Sequence, residues 1–130
     1  MRRIIVLVLI LLTIACSASH KFALPAGEWK LKTLPGEDLS VLNKPITLNF
    51  NTANAKANGF AGCNEYFSGF TTRQSSIAFS GIGATKMFCQ ETSKLEDKFF
   101  SALGKINVFN VDGNKLQLLQ DDLVLLEFEK

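Results

Sequence analysis

Short segments in which apolar and polar residues alternate recur along residues 27–130, and this period of two constrains the fold more than any other feature. Residues 27–34 and 46–50 show the pattern clearly, and the last 25 residues repeat it. Such a segment buries one face and wets the other, as an antiparallel strand does. Because strands and helices do not alternate, we predict a mainly β fold: an antiparallel sheet of six or more short strands, curled around or against a single helix.

Turn residues divide the predicted strands. The small, polar residues 51–59 predict a loop, and a sharp corner around Cys63-Asn64 is predicted to join the next two strands. Gly81 and Gly83 predict a bend, because glycine inside a strand pattern often marks one. Asp-Gly at 112–113 is a strong hairpin signal, and with a second turn at 121–122 it predicts a three-stranded meander at the C-terminus.

One segment changes to the helical period. Its apolar stripe has spacings of four, four and three residues and consists of Leu95, Phe99, Leu103 and Ile106. Ser93 followed by Glu96 predicts a capping box, in which each side chain bonds the other residue's backbone N–H. Gly104 is expected to end the helix, because glycine adopts a left-handed cap without penalty. We therefore predict one α-helix at about 93–104, packed against the sheet.

The N-terminus predicts export. Arg2 and Arg3 precede an apolar stretch that leaves twelve residues from Ile4 to Ala15, whereas a transmembrane helix needs about twenty. A basic start, a short apolar core and a small residue before the cut site are typical of a cleaved signal peptide. We therefore predict a signal peptide at 1–15 and no lasting transmembrane helix.

Thr13-Ile14-Ala15-Cys16 resembles the lipobox of bacterial lipoproteins, with Thr13 where leucine is more common. The resemblance implies that Cys16 becomes the acylated first residue, carrying fatty acids such as palmitate, which hold a small domain on a membrane. The alternative is an ordinary secretory signal with a chance cysteine. In the lipoprotein sorting rule of many Gram-negative bacteria, a serine after the acylated cysteine, here Ser17, permits transfer to the outer membrane. We therefore expect an anchor in the outer membrane, with the domain facing the periplasm. We predict a lipid-anchored tether at 16–25 and a domain at 26–130.

Composition excludes several function classes. Without Arg2 and Arg3 the chain has twelve basic and twelve acidic side chains, so nucleic-acid binding has no electrostatic support. The single histidine, His20, lies in the predicted tether, which excludes histidine-dependent catalysis in the domain. Cys63 and Cys89 belong to no CxxC pair, and we expect no metal and no cofactor. Composition and spacing alone do not decide whether Cys63 is a nucleophile, a metal ligand or half of a disulfide.

Two ordered motifs and an early tryptophan resemble the META domain, known in bacteria from HslJ-like lipoproteins. The matching residues are Gly62-Cys63-Asn64 with Tyr66 and Gly69, then Thr85-Lys86-Met87-Phe88-Cys89, and Trp29 near the start. The resemblance covers residues 26–129. It implies a barrel-like β fold with one helix across it and no established enzymatic activity. It also implies associations with heat shock, envelope stress and novobiocin resistance.

The resemblance also bears on the cysteines. An exported chain meets an oxidising compartment, and once Cys16 is acylated only Cys63 and Cys89 remain. Each lies in one of the two motifs, at a glycine-rich bend. We predict a structural disulfide between them, with two buried thiols as the outcome in a host that leaves exported cysteines reduced.

Three functions remain. We expect a monomeric, non-enzymatic envelope lipoprotein that contacts unidentified envelope proteins, in stress response or antibiotic tolerance. The alternative is a carrier or sensor for a small apolar ligand, held among Phe60, Phe67, Phe70, Phe79 and Phe99. Enzymatic use of Glu65, Glu91 or Asp97 as acid or base has the weakest support, since nothing in the sequence pairs any two of them.

Overall fold

The computed structural model describes residues 22–130. The predicted signal peptide, Cys16, His20 and most of the tether lie outside the described residues. No helix within 22–130 is long and apolar enough to cross a membrane.

Eight antiparallel strands form one closed barrel in which each strand pairs with the next and β8 pairs with β1. The strands are β1 (Glu28–Thr33), β2 (Thr47–Asn51), β3 (Lys56–Phe60), β4 (Glu65–Arg73), β5 (Ser76–Ala84), β6 (Val108–Asp112), β7 (Lys115–Gln120) and β8 (Leu123–Glu129). A 3₁₀ turn, Leu39–Val41, lies between β1 and β2, and α1 (Ser93–Leu103) links β5 to β6. The predicted mainly β fold with one helix is confirmed.

Two predictions about the loops are wrong. Residues 51–59 are not one loop, because Ala55 adopts a positive φ of 54° in a tight turn and β3 begins at Lys56. Gly81 and Gly83 do not end β5. Gly81, with φ 60°, lies where the β4–β5 register shifts, so the extra residue is absorbed as a β-bulge and the strand continues to Ala84.

The helix lies where it was predicted and ends at Gly104 as expected, but the predicted capping box and the left-handed backbone of Gly104 are wrong. Thr92 is the N-cap residue and its side chain makes no capping bond, while the carboxylate of Glu96 bonds elsewhere. Gly104 is right-handed (φ −69°) because the chain continues in tight turns, with Lys105 N–H donating to the Ala102 carbonyl. The apolar stripe of α1 joins the barrel core, where Phe99 and Leu103 are fully buried.

The barrel has two distinct ends, because consecutive strands alternate in direction. The chain enters β1 at one end, together with the short turns β2–β3, β4–β5 and β6–β7. Segments 61–64 and 85–92 connect β3 to β4 and β5 to α1, so both lie at the opposite end, which we call the distal end.

Candidate functional site

A disulfide joins the two distal segments. Cys63 and Cys89 are bonded, with their Cα atoms 5.8 Å apart and a sequence separation of 26. The predicted disulfide is therefore present, and neither sulfur is a free thiol in this structure. Within residues 22–130, no group of three His, Cys, Asp or Glu side chains is placed to hold a metal ion.

The side chain of Asn64 links the same segments a second time. Its Nδ2 donates to the Met87 carbonyl (3.0 Å) and to Glu96 Oε1 (2.7 Å). Its Oδ1 accepts from the Thr85 hydroxyl (2.8 Å) and from the Met87 backbone N–H (2.7 Å). An amide side chain has two donor hydrogens and two acceptor lone pairs, so Asn64, which is 4% exposed, is fully satisfied.

Glu96 brings α1 into the network. Its Oε2 accepts hydrogen bonds from the backbone N–H groups of Cys63 (3.0 Å) and Asn64 (2.6 Å), while its Oε1 accepts the bond from the Asn64 side chain. The carboxylate is buried, and no ion pair within the described residues includes it. Three N–H donors and the positive end of α1 therefore replace its hydration.

The capping-box prediction did not include this role of Glu96, although the sequence contains a signal for it. Glu96, Phe99 and Leu103 stand at i, i+3 and i+7, so the acidic residue occupies a position on the buried stripe of α1. A carboxylate in such a position needs partners inside the protein. The local spacing from Ser93 suggested a partner three residues away, but the actual partners are 32 and 33 residues away.

The motif residues thus form a structural network. At the predicted corner around Cys63-Asn64, the positive φ belongs to Gly62 (112°) and not to Asn64. Gly69 faces Ser80 at the bulge, and the Lys86 side chain is exposed. All polar atoms of the Asn64 side chain and both oxygens of Glu96 are occupied by internal hydrogen bonds, so the network fixes the two loops.

Tyr66 anchors the barrel below this network. Its ring packs edge-on against Phe99 (5.4 Å between centroids), and its hydroxyl donates to the Thr47 carbonyl (2.7 Å). Burial, with a smaller contribution from the charge of Glu65, raises the pKa of the Tyr66 hydroxyl far above its usual value near 10.

Tyr66 should make the protein sensitive to alkali. Above about pH 10, Tyr66 loses its proton in the unfolded chain but keeps it in the folded protein. The contribution of Tyr66 to the free energy of unfolding is therefore complete below that pH and falls as the pH rises. Because this loss begins near pH 10, we expect the wild type to lose about 1.4 kcal/mol more than Tyr66→Phe between pH 9 and pH 11. Urea unfolding of both proteins at pH 9 and 11 measures the difference. If both proteins lost the same free energy of unfolding between the two pH values, burial would not raise the pKa of Tyr66.

The five phenylalanines proposed to hold a ligand do not surround one cavity. Phe70 and Phe79 both pack on Phe50, whereas Phe99 packs on Tyr66. Phe67 does not reach the core at all: it is 62% exposed, with its ring against Gly83. A surface cavity of about 540 Å³ lies elsewhere, between Phe60 and Cys89, and Lys44 covers the Phe60 ring at 4.0 Å.

The three carboxylates considered for catalysis are all exposed and lie on different elements. Glu65 begins β4 with a distant partner in Lys44 (4.0 Å), Glu91 lies in segment 85–92, and Asp97 is on the outer face of α1.

Two large apolar side chains project from the distal end. Met87 is 63% exposed and Phe88 is 81% exposed. Their backbone is not loose, because the N–H and carbonyl of Met87 both bond to Asn64 and the next residue, Cys89, is in the disulfide. The network therefore presents an apolar surface from a fixed backbone.

Comparison with known proteins agrees with the fold. A family model described as META domain matches residues 22–130. An NMR structure of a protein from Burkholderia xenovorans is 26% identical, covers 78% of this chain and 79% of its own, and has a TM-score of 0.60. A second NMR structure, 16% identical, covers 78% of this chain and 86% of its own with a TM-score of 0.61, which shows a shared fold. No curated protein matches the chain.

Proposed function

The chain belongs to the META domain family, and we propose that it is a non-enzymatic cell-envelope lipoprotein whose domain contacts other envelope proteins. The observation that carries this proposal is the exposure of Met87 and Phe88 on a fixed backbone. A loop that is already ordered loses little conformational entropy on binding, so its apolar contacts contribute more of their free energy to affinity.

The position of the surface fits a membrane anchor at Cys16. The six residues from Cys16 to Lys21 span at most about 20 Å, so the end at which the chain enters the barrel would stay close to the lipid. Met87 and Phe88 lie at the distal end and would face away from that membrane. If the anchor lies in the outer membrane, Met87 and Phe88 would point into the periplasm. Partner proteins involved in envelope stress or antibiotic tolerance would be found in that compartment.

The anchor is tested by Cys16→Ser. We expect the wild type to be found in the membrane fraction, without residues 1–15 and with added acyl mass, because two or three acyl chains bind a bilayer durably. The variant should leave that fraction and keep its disulfide, since Cys63 and Cys89 are unchanged. Intact mass spectrometry of both fractions measures this. A wild-type protein without added acyl mass would contradict the lipoprotein proposal.

The contact surface is tested by Phe88→Ala. The side chain is almost fully exposed, so the free energy of unfolding should change by no more than about 0.5 kcal/mol. If Phe88 anchors a partner, cross-linking to envelope proteins in cells should fall about tenfold, the effect of losing about 1.4 kcal/mol of binding.

Phe22→Ala is the matched control, because Phe22 is also exposed (56%) but precedes β1 at the other end of the barrel. It should leave cross-linking unchanged. Equal losses in both variants, or none in Phe88→Ala, would count against the distal surface.

A further inference from the structure

The barrel is nearly open along one seam. β5 and β6 share the single pair Ser76↔Val108, flanked by a bond from Ile77 N–H to the Asn107 carbonyl (3.1 Å) and one from Phe109 N–H to the Ser75 carbonyl (2.9 Å). Beyond that pair, residues 78–84 of β5 have only β4 as a strand neighbour within the described part of the chain. We call residues 78–84 the β5 edge.

The β5 edge directs backbone groups into the seam. Ile77 N–H points toward β6, and residues two apart on a strand point to the same side, so Phe79 N–H and C=O point there also. Phe70, which lies opposite Phe79, supports this direction because its N–H donates away from β5, to the Ala55 carbonyl. Within residues 22–130 the strand ladder therefore offers Phe79 N–H no acceptor.

Side chains along the β5 edge are incompletely covered. On β4, Tyr66, Ser68 and Phe70 are at most 5% exposed. On β5, Phe79, Ile82 and Ala84 pack against the same core but are only half-buried. The difference follows from the missing neighbour, because a strand that has another strand on only one side leaves its core-facing side chains open on the other.

We propose that the β5 edge binds an extended segment of a partner protein as an added antiparallel strand. The proposal rests on the proposed function and specifies how the partner docks. Residues 76–84 contain no charge and no proline, the residues that commonly protect strand edges, and the Gly81 bulge is the one such device there. Backbone bonds supply affinity in this mode, and pockets for alternate side chains supply specificity.

The edge also defines the chemistry of the segment. An uncharged segment with alternating apolar residues fits, because the strand it meets is neutral and the side chains it covers are Phe79, Ile82 and Ala84. β5 leads directly into Met87 and Phe88, so one segment could contact the β5 edge and the distal surface together.

A second copy of this chain fits less well than another protein. Antiparallel pairing of two β5 strands requires a two-fold axis normal to the sheet, and that axis inverts the barrel. The two N-terminal tethers would then point in opposite directions, which two copies anchored in the same membrane do not allow.

Photo-cross-linking of the full-length lipoprotein in its own cells tests the register. Benzoylphenylalanine is placed at Ala78 and at Ala84, with a control at Lys30, which is exposed but has strand neighbours on both sides. We expect both edge probes to capture the same segment of one partner, about six residues apart and in reverse order, because strand neighbours keep step along an antiparallel pair. The Lys30 probe should capture no such segment.

Other outcomes overturn the proposal. These are capture of a second copy, capture of residues 16–21 of the same chain, or scattered sites without reversed order. A probe at Phe88 separates the two claims: if it captures a partner while the edge probes do not, strand addition fails and the proposed function stands. If none of the probes captures a protein, both fail.

Amide exchange of the unmodified protein needs no variant. Phe79 N–H should exchange at least about tenfold faster than Phe109 N–H, which has an acceptor across the seam. Equal protection of the two amides in the free protein would show that the edge is closed and would overturn the proposal.

Discussion

Replacing Asn64 with aspartate is expected to lower the free energy of unfolding by about 4 kcal/mol. The change keeps the shape of the side chain but removes both Nδ2 donors, which bond the Met87 carbonyl and Glu96 Oε1. A second carboxylate oxygen would then lie within 3.0 Å of both acceptors, in a site that is 4% exposed. Two buried acceptors without donors, together with like charges in contact, give this magnitude. Chemical denaturation at neutral pH measures it.

Asn58→Asp is the control for the added charge. Asn58 lies on β3 with an exposed side chain, so its substitution should change stability by no more than about 0.5 kcal/mol. If Asn64→Asp cost no more than Asn58→Asp, the Asn64–Glu96 network would not hold the distal end together.

The period of the apolar residues predicted the fold because it determines which face of each strand or helix is buried. Strands such as β1 and β7 have regular alternation, and each pairs with a neighbour close in sequence, so short-range patterns contain most of the information. The helix was predicted for the same reason, from the stripe that includes Phe99. Closure of the ring joins β1 to β8, and no local pattern in either strand specifies that pair.

The site was only partly predictable. The family resemblance drew attention to Asn64, Thr85 and Met87, but it gave them no partners. The spacing between Ser93 and Glu96 predicts a capping box, because sequence spacing indicates only partners close in the chain. In the structure the Glu96 carboxylate instead accepts hydrogen bonds from Cys63 and Asn64, which are distant in sequence. A buried carboxylate gains more from three N–H bonds in a closed site than from one bond at a solvated helix end.

Breaking the disulfide with Cys63→Ala and Cys89→Ala together is expected to cost about 3 to 4 kcal/mol, because the bridge closes a long loop and restricts the unfolded chain. Asn64 acts differently, through buried groups in the folded state. Reduction of the wild type should produce a similar loss in chemical denaturation, and a reduced protein as stable as the oxidised one would rule out a stabilising bridge.

The combination of the two changes distinguishes these mechanisms. While the disulfide is intact, segments 61–64 and 85–92 stay together and the unsatisfied groups of Asn64→Asp remain buried. Without the bridge the segments can separate, and water can reach the Met87 carbonyl and the two carboxylates. The triple variant should therefore lose at least about 1 kcal/mol less than the sum of the separate losses. Strict additivity would mean that the bridge and the network stabilise the distal end independently, and that Met87 and Phe88 do not depend on both for their fixed position.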